Sequence, residues 1–444
     1  MTKEKKSKPS KELPLGFVDR QEKELLVRDF IISNIKEVMI KYGFQYLETP
    51  SFEYSDSIGK FLPDKERPDE GVFSFKDENK WLSLRYDLTA PLARYVAKNF
   101  LEIPKPFKRY QLGTVWRNEK PGPGRFREFL QFDADFVGTK SLQADAELCV
   151  MISEILENCG LTKSEYIIKI SSRKITEELF KKININENQQ KLTALRALDK
   201  IDRLGWDGVK ELLGAGRKDK SGDFTKGANL KSEDIEVIEK TLKRKSPETE
   251  DLVEILKIFK DYNFTNFEFD PSIIRGLEYY TGVIFEVNLK FDVKNKKGQV
   301  IQFGSIGGGG RYDNLVNNFG NFDAPATGIS IGLDRLVYAL MQKKEFKVKQ
   351  SKPVVICVFD KNSMKEYINV QTILRKAGIS AEIYPGESKL KKQMEYANKI
   401  KSPAVILYGE DEIKLGKPTL RNLSSGKEQS IKIKELVNEI KKII

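Results

Sequence analysis

The sequence predicts an α/β protein in two parts: a larger α+β domain on an antiparallel sheet, then a smaller α/β domain whose sheet is mostly parallel. Three observations carry this. Thr114 to Gly138 reads as strand, proline–glycine turn, strand; KPGPG over Lys120–Gly124 cannot continue a strand, because two prolines fix φ and remove donors. Helical spacing leads into a short strand at Arg20–Pro50, and a strand leads into a helix at Ala326–Leu340. After Lys352, short apolar runs alternate with amphipathic helices, the pattern of a buried parallel sheet.

Composition bounds what such a protein does. A chain of 444 residues is too long for one ordinary core, so two or three domains are expected. Hydrophobic content of 39% with 10% aromatics supports globular folding. The net charge of +12 suits a polyanionic partner, although a lysine-rich solvated surface gives the same number. Cys149, Cys159 and Cys357 show no metal-ligand spacing, and so sparse a set argues for buried thiols in a reducing compartment. With no apolar run of membrane length and no signal-like start, a cytoplasmic protein is expected. The chain contains no histidine, which excludes an enzyme imidazole as base, shuttle or metal ligand.

The elements follow in order. Residues 1–14 form a lysine-rich tail expected to be disordered. Arg20 to Tyr42 has helical spacing, with Leu25, Leu26, Phe30, Ile31, Ile35, Val38 and Met39 as its apolar stripe, and Gly43 ends it. Phe44 to Thr49 is a strand stopped by Pro50. Leu82 to Tyr95 is a strand end and a helix start, capped by Asp87 or Thr89 with Pro91 in the first turn. In the hairpin, side chains alternate faces. Phe126, Glu128, Leu130, Phe132, Ala134 and Phe136 make a mostly apolar face. Arg127, Phe129, Gln131, Asp133 and Asp135 make a polar one with an exposed ring. Arg117 and Glu119 close the incoming strand and Arg125 opens the outgoing one. Three arginines around one hairpin suit polyphosphate, since guanidinium forks match phosphate oxygens.

Past Leu142 the spacing is helical, Tyr166 to Ile170 is a strand, and Lys174 to about Asn263 is charged and helix-rich. Phe303 to Asp313 is glycine-rich without the ending of a phosphate-binding loop. Beyond a lysine-rich linker, strands are expected at Val354–Phe359, Ala381–Tyr384 and Ala404–Gly409. Helices are expected at Ser363–Ala377, Leu390–Ile400 and Ile433–Ile443.

Taken together, these motifs carry a resemblance. Arg117-Asn118-Glu119, a loop, then Arg125-x-x-x-Phe129 resembles motif 2 of class II aminoacyl-tRNA synthetases. Helix, Gly43 and a strand to Pro50 resemble motif 1, and Gly328, Gly332 and Arg335 resemble motif 3. Gln131-Phe132-x-x-Asp135, Arg275-Gly276-Leu277-Glu278-Tyr279-Tyr280-Thr281-Gly282 and Arg311-Tyr312-Asp313 are similar to signatures of histidyl-tRNA synthetases. The match runs from Leu15 to the C-terminus. The Lys120–Gly124 loop looks like a divergent bacterial type, whose partner tRNA lacks the extra 5′ guanosine.

The resemblance implies a class II catalytic domain over 15–345, interrupted by a helical insertion at 174–263, and an anticodon-binding domain at 353–444. It implies ATP with Mg²⁺, L-histidine and tRNA-His as partners, a homodimer, and no membrane. By the motif match, Arg117 and Arg275 are catalytic. Arg117, Glu119, Arg125, Phe129 and Arg335 hold ATP, with Arg335 sandwiching adenine against Phe129. Asp87, Thr89, Gln131, Asp135, Arg275, Tyr279 and Tyr280 define the histidine site. Mg²⁺ comes with ATP, no side-chain metal site is assigned, and Glu119 is expected to meet either adenine or that Mg²⁺. The rival within the same fold is a non-aminoacylating paralogue, such as the regulatory subunit of ATP phosphoribosyltransferase. Such paralogues usually lose the C-terminal domain and several of these arginines.

Overall fold

The computed structural model of the chain describes residues 10–59, 71–219, 222–274, 280–343, 346, 352–386 and 388–444. Most of the basic tail, and the 275–279 segment with Arg275 and Tyr279, lie outside the described residues. Two compact units result, the first ending at Val348 and the second starting at Lys349.

The first unit is organised by an eight-stranded sheet. Its strands in chain order are β1 (Gln45–Tyr46), β2 (Phe107–Trp116), β3 (Glu128–Val137), β4 (Tyr166–Ser172), β5 (Phe267–Phe269), β6 (Val283–Leu289), β7 (Gly307–Arg311) and β8 (Ala326–Gly332). In space the order is β1-β2-β3-β8-β7-β6-β4-β5. The six central strands pair antiparallel, while β1 and β5 at the edges run parallel to their neighbours. The strand read from Phe44 to Thr49 contributes only two paired residues before Pro50, although Leu47 N–H still donates to the Tyr110 carbonyl at 3.0 Å.

The helix Glu22–Lys41 buries Val27, Ile31, Ile35, Val38 and Met39. This is one face of a 3.6-residue period, starting at Val27 rather than at Leu25. It shares a core with Phe132, Ala134 and Phe136 of β3, the face predicted apolar. Each such side chain contributes about 1.5–3 kcal/mol on burial. Four helices, Arg173–Lys182, Asn188–Leu198, Ile201–Leu213 and Ser232–Leu242, assemble a separate small core around Leu198, Leu213 and Ile238. The next helix, Glu250–Asp261, instead buries Leu252, Ile255 and Phe259 in the main core. A small three-stranded sheet (Phe52–Tyr54, Ser74–Asp77, Lys80–Leu84) precedes the helix Thr89–Lys98.

The second unit pairs Val354–Ile356 in parallel with Ala381–Ile383 and Ala404–Leu407, as strand–helix alternation requires. Two antiparallel strands, Thr419–Asn422 and Glu428–Ser430, extend the sheet. They are short and polar, so no apolar alternation announced them.

Candidate active site

The hairpin β2–β3 places its polar side chains by register. Arg109 stands opposite Asp135, Gln111 opposite Asp133 and Gly113 opposite Gln131. On the other side of β3, Gly328 faces Asp135 and Ser330 faces Asp133. The alternation predicted a polar face with an exposed ring. The structure shows a buried one: Gln131, Asp133 and Asp135 are 5%, 1% and 2% exposed, and Phe129 is half-buried. Thr89 at the start of the helix Thr89–Lys98 packs on Asp133, Tyr312 on Asp135 and Arg117 on Gln131.

The segment leading into that helix is built by Asp87, whose Oδ1 accepts the backbone N–H groups of Thr89 (3.2 Å) and Ala90 (3.0 Å). The helix start is thereby capped, as read from the sequence. Thr89 Oγ1 then donates to Asp133 Oδ2 at 3.3 Å, and Gln131 Nε2 donates to Asp133 Oδ1 at 2.6 Å. Asp135 accepts a short hydrogen bond from the Tyr312 hydroxyl and forms an ion pair with Arg109 at 3.1 Å. Burial raises the carboxyls of Asp87 and Asp133 above the usual range, and pushes Asp135 up to about 6 against the pull of Arg109. Tyr280 packs against the apolar cluster that contains Tyr312.

Of the predicted arginines in the described residues, Arg117 contacts this polar row directly. Arg117 Nε donates to the Tyr86 carbonyl at 3.0 Å and Nη2 donates to Gln131 Oε1 at 3.4 Å. Its guanidinium sits 5.3 Å from the centre of the Phe129 ring. Arg117 thus joins the ring to the buried amide. Gly122 and Arg125 exchange both backbone hydrogen bonds, at 3.0 and 2.9 Å. Pro123 and Gly124 are left at the turn, Gly124 with φ 65°, which suits proline followed by glycine in a type II turn. Arg335 lies over Phe303, 4.6 Å from its centre. The same ring packs under the turn, since a Cβ on Gly124 would be 3.2 Å from it. Arg125, Arg335, Phe303, Ser305 and Glu286 line a cavity of about 400 Å³, with Arg203 of the helical segment on its wall. Glu119 is exposed, and its carbonyl accepts Arg127 Nε at 3.1 Å.

The two signatures brace each other. Thr281 N–H donates to the Arg311 carbonyl at 2.8 Å, and its hydroxyl donates to Asp313 at 2.6 Å. Arg311 itself is structural: it bonds the carbonyls of Thr139 (2.9 Å) and Ser141 (3.0 Å) and pairs with buried Asp145. Sequence reasoning assigned no role to Arg109, Asp133, Tyr312 or Phe303. Asp133 was on the polar face already. Arg109 comes from the paired strand β2, while Phe303 and Tyr312 flank β7, far along the chain. Among the described residues no cluster of three or more Asp, Glu or Cys could hold a metal ion.

An antiparallel sheet whose central hairpin carries this arginine–phenylalanine pattern defines the class II aminoacyl-tRNA synthetase fold. The histidyl-tRNA synthetase family profile matches residues 16–336, and an anticodon-binding domain profile matches 352–443. Curated histidine–tRNA ligases of Bartonella quintana and Rhizobium meliloti are each 46% identical, over 97% and 96% of this chain and 92% and 90% of theirs. The histidyl-tRNA synthetase of Nostoc sp. PCC 7120 superposes with a TM-score of 0.74 at 27% identity, covering 98% of this chain and all of that one. The chain belongs to the histidyl-tRNA synthetase family.

Proposed function

We propose that this protein activates L-histidine with ATP, giving histidyl-adenylate and pyrophosphate, and transfers the histidyl group to the 3′ end of tRNA-His. The observation that carries this reading is the buried row Gln131, Asp133, Asp135 beside the Arg117–Phe129 pair. It sets an acceptor-rich pocket fit for an ammonium and an imidazole directly against an arginine fit for phosphate. Near full-length likeness to histidine–tRNA ligases and a C-terminal unit matching an anticodon-binding profile support it over the non-aminoacylating paralogue.

The substrate carboxylate is already the nucleophile. Its oxygen attacks the α-phosphorus, and the bond to the β-phosphate oxygen breaks. The barrier lies in crowding anions together, so preorganised cations lower it more than a strong base would. Arg117, held by Tyr86 and Gln131, is assigned to the α-phosphate, and Arg275 joins it there by motif match alone. Arg125 and Arg335 border the cavity and take the β- and γ-phosphates, with Phe129 against adenine. Asp87, Thr89, Gln131, Asp135 and Tyr280 line the histidine site, Tyr279 with them by motif match. Mg²⁺ arrives on the nucleotide; it is commonly held by phosphates with one or two carboxylates, and Glu119 is the carboxylate proposed here.

Residues 353–444 are assigned to the anticodon and 174–263 to the acceptor arm. The working form is assigned as a cytoplasmic homodimer. No helix among the described residues is long and apolar enough to cross a membrane. The deciding experiment is histidine-dependent ATP–pyrophosphate exchange, followed by charging of a tRNA-His transcript. Exchange without charging would favour a paralogue, and absence of both would end the reading.

A further inference from the structure

Arg109 is the largest fully buried side chain of the described residues, at 0% exposure, and no motif accounts for it. An isolated guanidinium in such a place is costly unless something compensates it. Its Nη2 donates to the Leu88 carbonyl at 2.8 Å and lies 3.1 Å from Asp135 Oδ2. Asp135 Oδ1 is taken by the Tyr312 hydroxyl. Its Oδ2 faces a cation but accepts no hydrogen bond among the described residues. The result is a buried carboxylate oxygen, fixed and charge-compensated, with room in its hydrogen-bonding capacity for one donor.

We propose that Arg109 is a positioning residue for amino-acid recognition. It keeps the Asp135 carboxylate ionised and oriented, so that Oδ2 receives an imidazole N–H of the substrate. The inference rests on the reading that Asp135 belongs to the histidine pocket. The charged and titratable groups facing Asp135 are Arg109 from β2, Asp133 on its own strand, Asp87 from the helix start and Tyr312 after β7. Arg109 is the cation among them. Asp133 and Asp87 oppose ionisation, and burial opposes it most. Without Arg109, Asp135 takes up a proton at neutral pH and Oδ2 ceases to be a good acceptor. Arg109 also bonds the carbonyl that precedes Thr89, so one side chain holds both walls of the pocket.

The test measures the histidine KM in ATP–pyrophosphate exchange from about pH 6 to 9, each variant divided by wild type so that the substrate's own titration cancels. Arg109→Met should raise the KM at least roughly tenfold at pH 7, since one pKa unit is a tenfold change in ionisation. The ratio should fall toward one as pH rises, with kcat and the ATP KM nearly unchanged. Arg109→Lys should restore the KM and its pH profile in large part. Asp133→Asn, which removes a like charge, should move the profile the opposite way, to lower pH. Arg109→Gln, which can still donate to Leu88, replaces the methionine variant if that one does not fold.

If Asp135→Asn leaves the histidine KM alone, the reading of the pocket fails. If Asp135→Asn raises it but the neutral Arg109 variants leave both KM and profile unchanged, or the loss is independent of pH, the role of Arg109 is overturned.

Discussion

Gly328 stands directly opposite Asp135 across the β3–β8 ladder, and a Cβ on residue 328 would lie 1.9 Å from Asp135 Oδ1. The carboxylate occupies the volume that any other residue would fill. Motif 3 therefore needs this glycine to make room for a side chain of motif 2, rather than for its own backbone.

Gly328→Ala should displace the Asp135 carboxylate and break its bond to Tyr312. Misplacement by about 1 Å at a reacting or binding group costs on the order of 100-fold. The histidine KM should rise steeply while the ATP KM holds. Overpacking should also cost about 1–3 kcal/mol of stability, read from the urea midpoint. A variant with a normal histidine KM would show that recognition does not depend on where this carboxylate sits.

Phe303 holds three things at once: the Gly124 turn, the Arg335 guanidinium at 4.6 Å and the Tyr338 ring, stacked at 5.8 Å. Phe303→Leu keeps the bulk but removes the π face. Cation–π contacts are worth about 0.5–2 kcal/mol, so the ATP KM should rise roughly 2- to 30-fold with the histidine KM unchanged. Steady-state exchange with ATP varied checks this. An unchanged ATP KM would mean that Arg335 finds its position without the ring.

Much of this arrangement was legible because it is periodic. The alternation from Phe126 to Phe136 placed Phe132, Ala134 and Phe136 in the core and put Gln131, Asp133 and Asp135 on one side. What it did not reveal is that the polar side is buried, since the residues that pack on it, Thr89, Arg117 and Tyr312, come from other parts of the chain. Arg109 was invisible for a related reason. The incoming strand was read only from Thr114, and its pairing with Asp135 spans 26 residues of sequence (135 − 109). Register across a sheet is a tertiary fact, set by the hairpin turn and the core rather than by any local pattern.

Asp145 offers a test in pH. It is fully buried, paired with Arg311 and bonded by Thr327 Oγ1 at 2.8 Å, and burial pushes its carboxyl up to about 6 from 3.8. A carboxyl whose folded pKa is raised stabilises the fold at low pH, and that contribution is lost as pH rises through the folded value. The stability of wild type minus that of Asp145→Asn should therefore decline between about pH 4 and 6. A shift of about two units corresponds to roughly 3 kcal/mol. Above pH 6 the difference should stay flat to pH 8. Urea unfolding at several pH values decides; a difference that grows with pH over this range would mean the Arg311 cation outweighs burial.

The small three-stranded sheet leaves one face open. Phe52 and Tyr54 pair with Leu84 and Leu82, and Phe75 pairs with Leu82, so all point the same way. Phe52 and Phe75 meet edge to face at 5.4 Å, yet remain 48% and 44% exposed. Tyr54, 48% exposed, lies beside them under Lys80. Contiguous aromatic surface of this kind marks a contact site. If the homodimer proposed above forms through this face, a second copy of the chain covers it, and that is the prediction. In a symmetric pair, burying the exposed halves of both rings on each copy contributes on the order of 3–6 kcal/mol, equivalent to about 10²–10⁴ in dissociation constant. Phe52→Glu with Phe75→Glu should therefore convert a dimer to a monomer at micromolar concentration in sedimentation velocity, with circular dichroism unchanged. Exchange activity should fall along with the dimer fraction. A double variant that stays dimeric would place the second copy on another face.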